Sequence, residues 1–185
     1  MGITRTEDMT IDTFPITEEN RADYNICKEL LIHPETFRLV FFHLPANEGL
    51  HLKHALMNFW KGDVDWVCAT ASDFTTDLIA AIMSGTRPYN MGKYLNPAIL
   101  ILDDAQHLAG KDATQEELYV ILKRRLEEKK VTVIFSEVGI ERLRVAMRDE
   151  LVHLLTMGIP EDNIYKRMSL EELDFLRRGP GKLEA

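Results

Sequence analysis

Ile99-Leu-Ile-Leu-Asp-Asp-Ala-Gln-His-Leu-Ala-Gly-Lys-Asp-Ala-Thr-Gln-Glu-Glu117 contains the transition that decides the fold. Four apolar residues, Ile99 to Leu102, predict a strand buried on both faces, as in a parallel sheet. They deliver Asp103 and Asp104 to its C-terminal edge. Thr114 followed by Glu117 reads as a capping box, which predicts a long amphipathic helix over 114–130. A carboxylate pair at such a strand end has a chemical use, since phosphoryl transfer needs groups that hold Mg²⁺ and orient the attacking nucleophile.

The same alternation extends in both directions. Ala22, Ile26, Leu30 and Leu31 recur at helical spacing and predict a helix over 19–32, ending before Pro34. Residues 37–44 and 64–69 read as strands, and 50–60 as a helix with Leu52, Ala55, Leu56 and Phe59 on one face. A helix over 72–83 opens on Ser72 as its cap. A polar loop with Gly85, Pro88 and Gly92 leads back to the Ile99 strand. A strand over 131–135 and helices over 140–157 and 170–178 complete the pattern. It predicts an α/β fold, a parallel sheet with helices on both faces. The expected organisation is an extension at 1–10, a core domain at 11–160, and a C-terminal helix and tail at 161–185.

Composition narrows the class. The chain has 185 residues, 45% hydrophobic and 28% charged, which suits a folded domain with one core. Cys27 and Cys68 lie far apart, with no CxxC and no Cys/His cluster, so a reducing, cytoplasmic setting is expected. No apolar run approaches the roughly 20 residues of a membrane span, and no membrane partner is expected. The net charge of −8 argues against a stand-alone duplex DNA binder, whose affinity rests on neutralising phosphates. The histidines lack metal-ligand spacing, and no Ser/His/Asp set or GxSxG suggests a nucleophile. The run Lys123-Arg-Arg-Leu-Glu-Glu-Lys-Lys130 reads as a solvated helical face.

Over Leu102-Asp-Asp-Ala-Gln-His-Leu-Ala-Gly-Lys-Asp-Ala-Thr-Gln-Glu-Glu-Leu118 the chain resembles the AAA+ ATPase domain of the bacterial replication initiator (DnaA) family. That family typically reads hydrophobic-Asp-Asp-x-Gln-Phe-Leu-x-Gly-Lys-x-x-Thr-Gln-Glu-Glu-Phe. Ile11-Asp-Thr-Phe14 with Asn20-Arg21 is similar to the family's entry segment beside the adenine. Ser72-Asp-Phe-Thr75 through Tyr94 is similar to its helical wedge, and Thr132-Val-Ile-Phe-Ser136 to its sensor strand. The likeness covers about residues 10–140 and implies a P-loop NTPase/AAA+ core.

Three departures shape the functional expectation. The family's Gly-Gly-x-Gly-x-Gly-Lys-Thr phosphate loop falls on His43-Leu-Pro-Ala-Asn-Glu-Gly-Leu50, with Gly49 at the lysine position and Leu50 at the threonine position. The ammonium, the hydroxyl and most of the glycines that serve phosphate and Mg²⁺ are therefore missing. The segment after Ser136 has no counterpart of the Arg-x-x-Ser-Arg-Phe finger, with Arg148 the nearest candidate. The family also continues into a lid and a DNA-binding domain for which this sequence has no counterpart.

The resemblance thus implies a degenerate nucleotide site at Asn20, Arg21, Gly49, Asp103, Asp104 and Ser136, with no catalytic residue, no metal and no ATP/Mg²⁺ cofactor. The expected role is an ATPase-inactive interaction factor or regulator in replication initiation, docking on a replication initiator, helicase or helicase loader, or on a second copy. One alternative is a single-stranded DNA-binding module using Thr86, Arg87, Tyr89 and Lys93, with Tyr89 or Tyr94 stacking on a base. Another is a weak ATPase in which Lys53 replaces the missing lysine. Each candidate also has a plainer use: Asn20 as a helix cap, and Asp103 and Asp104 as loop-ordering groups.

Overall fold

The computed structural model describes residues 5–62, 64–85 and 91–157. Its four strands are β1 (Leu39–His43), β2 (Trp66–Thr70), β3 (Ile99–Asp103) and β4 (Val131–Ser136). All pair in parallel, in the order β1-β4-β3-β2. Successive side chains alternate across the sheet and build two cores. Leu39, Phe41, Leu100, Leu102 and Ile134 face one; Val40, Phe42, Ile99, Ile101, Val133 and Phe135 face the other.

Helices α1 (Arg21–Ile32) and α2 (Ala46–Phe59) cover the second core with Cys27, Leu30, Leu52 and Leu56. Helix α3 (Ala71–Met83) covers the first with Phe74 and Leu78, after which comes the short α4 (Gly92–Leu95). Helix α5 (Asp112–Glu127) adds Leu118 and Leu122 to that side. The short α6 (Ile140–Leu143) and α7 (Asp149–Met157) close it. The fold is the α/β class that the sequence predicts, and no described helix is long and apolar enough to cross a membrane.

Several boundaries differ from expectation, each for a physical reason. Helix α2 starts four residues early, at Ala46, with the Pro45 carbonyl accepting the Glu48 and Gly49 amides at 3.0 and 2.9 Å. The early start leaves only Leu44 and Pro45 between β1 and α2. Thr70, not Ser72, caps α3: its hydroxyl accepts the Asp73 amide at 3.0 Å, and the Asp73 carboxylate accepts the Thr70 amide at 3.0 Å. Helix α5 begins at Asp112, so Thr114 and Glu117 lie buried inside it rather than forming a capping box.

The predicted helix over 140–157 is split because its middle serves another segment. The Ala146 carbonyl accepts the Gly110 amide at 2.9 Å, and the Arg148 amide donates to Gln115 Oε1 at 2.7 Å. Gln115 Nε2 donates to the Leu108 carbonyl at 2.8 Å, so this one amide ties three segments together. Arg125 also departs from the expected solvated face. Fully buried, it donates to Thr132 Oγ1 at 2.9 Å and to the carbonyls of Tyr94, Leu95 and Pro97 at 3.0, 3.2 and 2.9 Å. Residues 5–10 pack on α2, where Asn58 Nδ2 donates to the carbonyls of Thr6 and Met9 at 2.9 and 3.0 Å. The predicted helix at 170–178 and the tail at 161–185 lie outside the described residues.

Candidate functional site

Topology locates the site before any side chain does. From β1 the chain crosses to β2 by way of α2 on one face, then returns through α3 and α5 on the other. Connections that diverge to opposite faces leave a crevice at the C-terminal ends of the strands. A cavity of about 240 Å³ lies there, among Gly49 and Lys53 of α2, Asp103 and Asp104 at the end of β3, and Ser136 and Glu137 at the end of β4. Leu44, Leu50 and Phe135 supply its apolar wall.

Four of the six predicted site residues, Gly49, Asp103, Asp104 and Ser136, line this cavity. Asp103 is satisfied at both oxygens. Oδ2 is ion-paired with the Lys53 ammonium, both side chains being largely buried (17% and 14% exposed), and Oδ1 accepts the Asp104 amide at 3.0 Å. Asp104 takes up left-handed backbone angles (φ 56°, ψ 42°), a conformation that aspartate tolerates better than most residues. Its Oδ1 accepts Gln106 Nε2 at 3.1 Å. Gln106 Oε1 in turn lies 3.1 Å from Ser136 Oγ and accepts the Glu137 amide at 3.2 Å. One glutamine therefore couples the ends of β3 and β4.

Gly49 is an ordinary helical residue. A Cβ added there would meet Leu44 and Phe135 at 3.8 and 3.9 Å, normal van der Waals contact, so no glycine-specific turn exists at this position. Asn20 is buried, but it orders its own segment: Oδ1 accepts the Thr17 amide at 2.7 Å, and Nδ2 donates to the Pro15 carbonyl at 3.0 Å and to Glu48 Oε2 at 3.1 Å. Arg21 is exposed at the start of α1. Neither Asn20 nor Arg21 is in the cavity lining.

Sequence reasoning missed Gln106 and Glu137, and it considered Lys53 only as a replacement for the missing phosphate-loop lysine. Lys53 instead reaches across to β3. The signal was available: Lys53 follows Gly49 by one helical turn, on the same side of α2. His54, the next residue, is held below the ordinary histidine range by burial and then by the Lys53 ammonium. Burial pushes the Cys68 thiol up to about 11, which suits inert packing.

The nucleic-acid candidates divide. Thr86, Arg87 and Tyr89 lie outside the described residues. Lys93 is half exposed and ion-paired with Asp77, its ammonium 4.9 Å from the Tyr94 ring centroid. Tyr94 is fully buried, edge-on to Phe74 at 4.7 Å, with its hydroxyl donating to Asp77. Its expected stacking on a base is therefore corrected to core packing. Arg148 is held 3.7 Å from both Glu116 and Glu150, on the exposed side of α7's start.

Electrostatically, three carboxylates (Asp103, Asp104 and Glu137) and one ammonium face the cavity. Among the described residues no three of His, Cys, Asp or Glu converge to hold a metal ion.

Residues 6–162 match the family model described as the bacterial DnaA ATPase domain. The chromosomal replication initiator protein DnaA 1 of Chlamydia pneumoniae is 28% identical over 159 residues, 82% of this chain and 34% of that protein. The chain thus spans about a third of the length of this curated relative. Domain III of the Thermotoga maritima DnaA protein superposes with a TM-score of 0.77 at 26% identity, covering 82% of this chain and 65% of that one. The DnaC helicase loader shares the fold, with a TM-score of 0.69 at 17% identity, over 85% of this chain and 97% of that one.

Proposed function

The chain belongs to the bacterial DnaA ATPase-domain family, and on that premise we propose that it is a replication-related AAA+ protein that works by protein contact, without productive ATP hydrolysis. The observation carrying this reading is the two-residue link Leu44–Pro45 between β1 and α2. A phosphate-cradling loop turns several backbone amides toward the ligand and supplies a lysine at its end. Two residues leave no length for that turn. Helix α2 begins at once, with the carboxylate of Glu48 rather than a lysine in its first turn.

The ATP and Mg²⁺ that the family implies do not suit the residues present. Lys53 is engaged with Asp103, and Asp104 with Gln106. A triphosphate entering the cavity would face three carboxylates and displace the one cation there. What remains is an ordered sheet edge and a helix face, suited to docking on a replication initiator or a helicase loader.

The test is affinity capture from native cells with the tagged full chain, with and without added ATP and Mg²⁺. Recovery of a replication initiator or helicase loader in equal yield under both conditions is the expected result. Recovery that depends on ATP, or recovery of single-stranded DNA with no replication protein, overturns the reading.

A further inference from the structure

We propose that Lys53 is a resident counter-cation: its ammonium holds Asp103 where an exchangeable cation would otherwise be needed, so the C-terminal edge of the sheet keeps one arrangement with or without ligand. The inference rests on the reading that this site does not turn over nucleotide, and it names how the site dispenses with it.

Three observations carry the proposal. First, the Lys53–Asp103 pair is largely buried, and a carboxylate at that depth needs a fixed positive partner. Second, the other oxygen of Asp103 accepts the Asp104 amide at 3.0 Å, so each carboxylate oxygen has a partner from within the chain. Third, Lys53 is carried by the body of α2, not by a loop. It is the eighth residue of a 14-residue helix whose Leu52 and Leu56 are packed in the core. That anchoring fixes the ammonium's approach to β3.

The consequences spread along the strand edge. With Asp103 held, the Asp104 backbone stays in its left-handed turn, and the Gln106 bridge to Ser136 and Glu137 stays in register. An external cation at Asp103 would compete with the Lys53 ammonium, and a ligand carrying phosphate would meet an ammonium already paired with Asp103.

Cation rescue of Lys53→Ala tests this, read as the thermal midpoint of the full chain. The wild-type midpoint is expected not to move with MgCl2 or with propylammonium, beyond matched ionic-strength controls. Lys53→Ala is expected to melt about 5–10 °C lower, as removal of one partner of a largely buried pair does in a chain of this size. Mg²⁺ or propylammonium should recover much of that loss, while neutral propanol should not. Asp103→Asn in the Lys53→Ala background should abolish the recovery.

If Lys53→Ala does not fold alone, refolding in Mg²⁺ or propylammonium but not in propanol is the supporting result. Failure of both cations overturns the proposal. So does a wild-type midpoint that rises with Mg²⁺ as much as the variant's. ATP hydrolysis by the wild type would instead overturn the proposed function itself, so the two failures are distinguishable.

Discussion

At Gly49 a hydrogen atom stands where the family pattern carries a lysine side chain. Gly49 is helical, with room for a methyl group, so Gly49→Ala should stabilise the protein by about 0.5–1 kcal/mol through helix propensity. Chemical denaturation of wild type and Gly49→Ala reads the gain. Arg125 is the opposite case. Burial pushes its guanidinium down to about 10, still charged at neutral pH, and backbone carbonyls rather than a carboxylate hold it. Arg125→Met should cost about 3 kcal/mol or more, because it strands several buried carbonyls at once. Neither property was legible in sequence. Arg125 sits in a run of mixed charge, and the 94–98 segment together with the start of β4 takes it out of water.

Among the elements, strands were the most legible and helix starts the least. Ile99–Leu102, Val131–Phe135 and the aromatic run before His43 are apolar enough to need burial on both faces, and they form β3, β4 and β1. The start of α2 was hidden because its first turn, Ala46 to Gly49, carries no apolar period, while Pro45 and Glu48 are the local signals that begin it. Helix α3 shows how a cap can be displaced by two residues. Thr70 ends β2 and caps α3 together with Asp73, whose carboxyl is held below the usual range by hydrogen bonds from Thr70. Thr70→Ala should therefore cost about 1 kcal/mol. A depressed carboxyl pKa means that this contribution is complete above about pH 4 and fades as the solution is acidified. An acid titration of wild type and Thr70→Ala should show the two stabilities converging at low pH; a gap that widens there would contradict the assignment.

For the whole molecule, the order β1-β4-β3-β2 and the opposite-face crossovers place a crevice beside β1, as in nucleotide-binding α/β folds. That placement was legible from the Asp103–Asp104 strand end. What fills the crevice was not, because it depends on where α2 begins and on a lysine that acts across the sheet rather than along the chain. The domain keeps the scaffold of its family while its polar groups satisfy one another: Lys53 with Asp103, Gln106 with Asp104 and Ser136, Asn20 with Glu48. The most direct test of the central claim is an equilibrium titration of the purified chain with a fluorescent ATP analogue and Mg²⁺, followed by a hydrolysis assay on the same sample. The account predicts no saturable binding and no turnover above the buffer rate. Micromolar binding with hydrolysis that disappears in Asp103→Asn would contradict it.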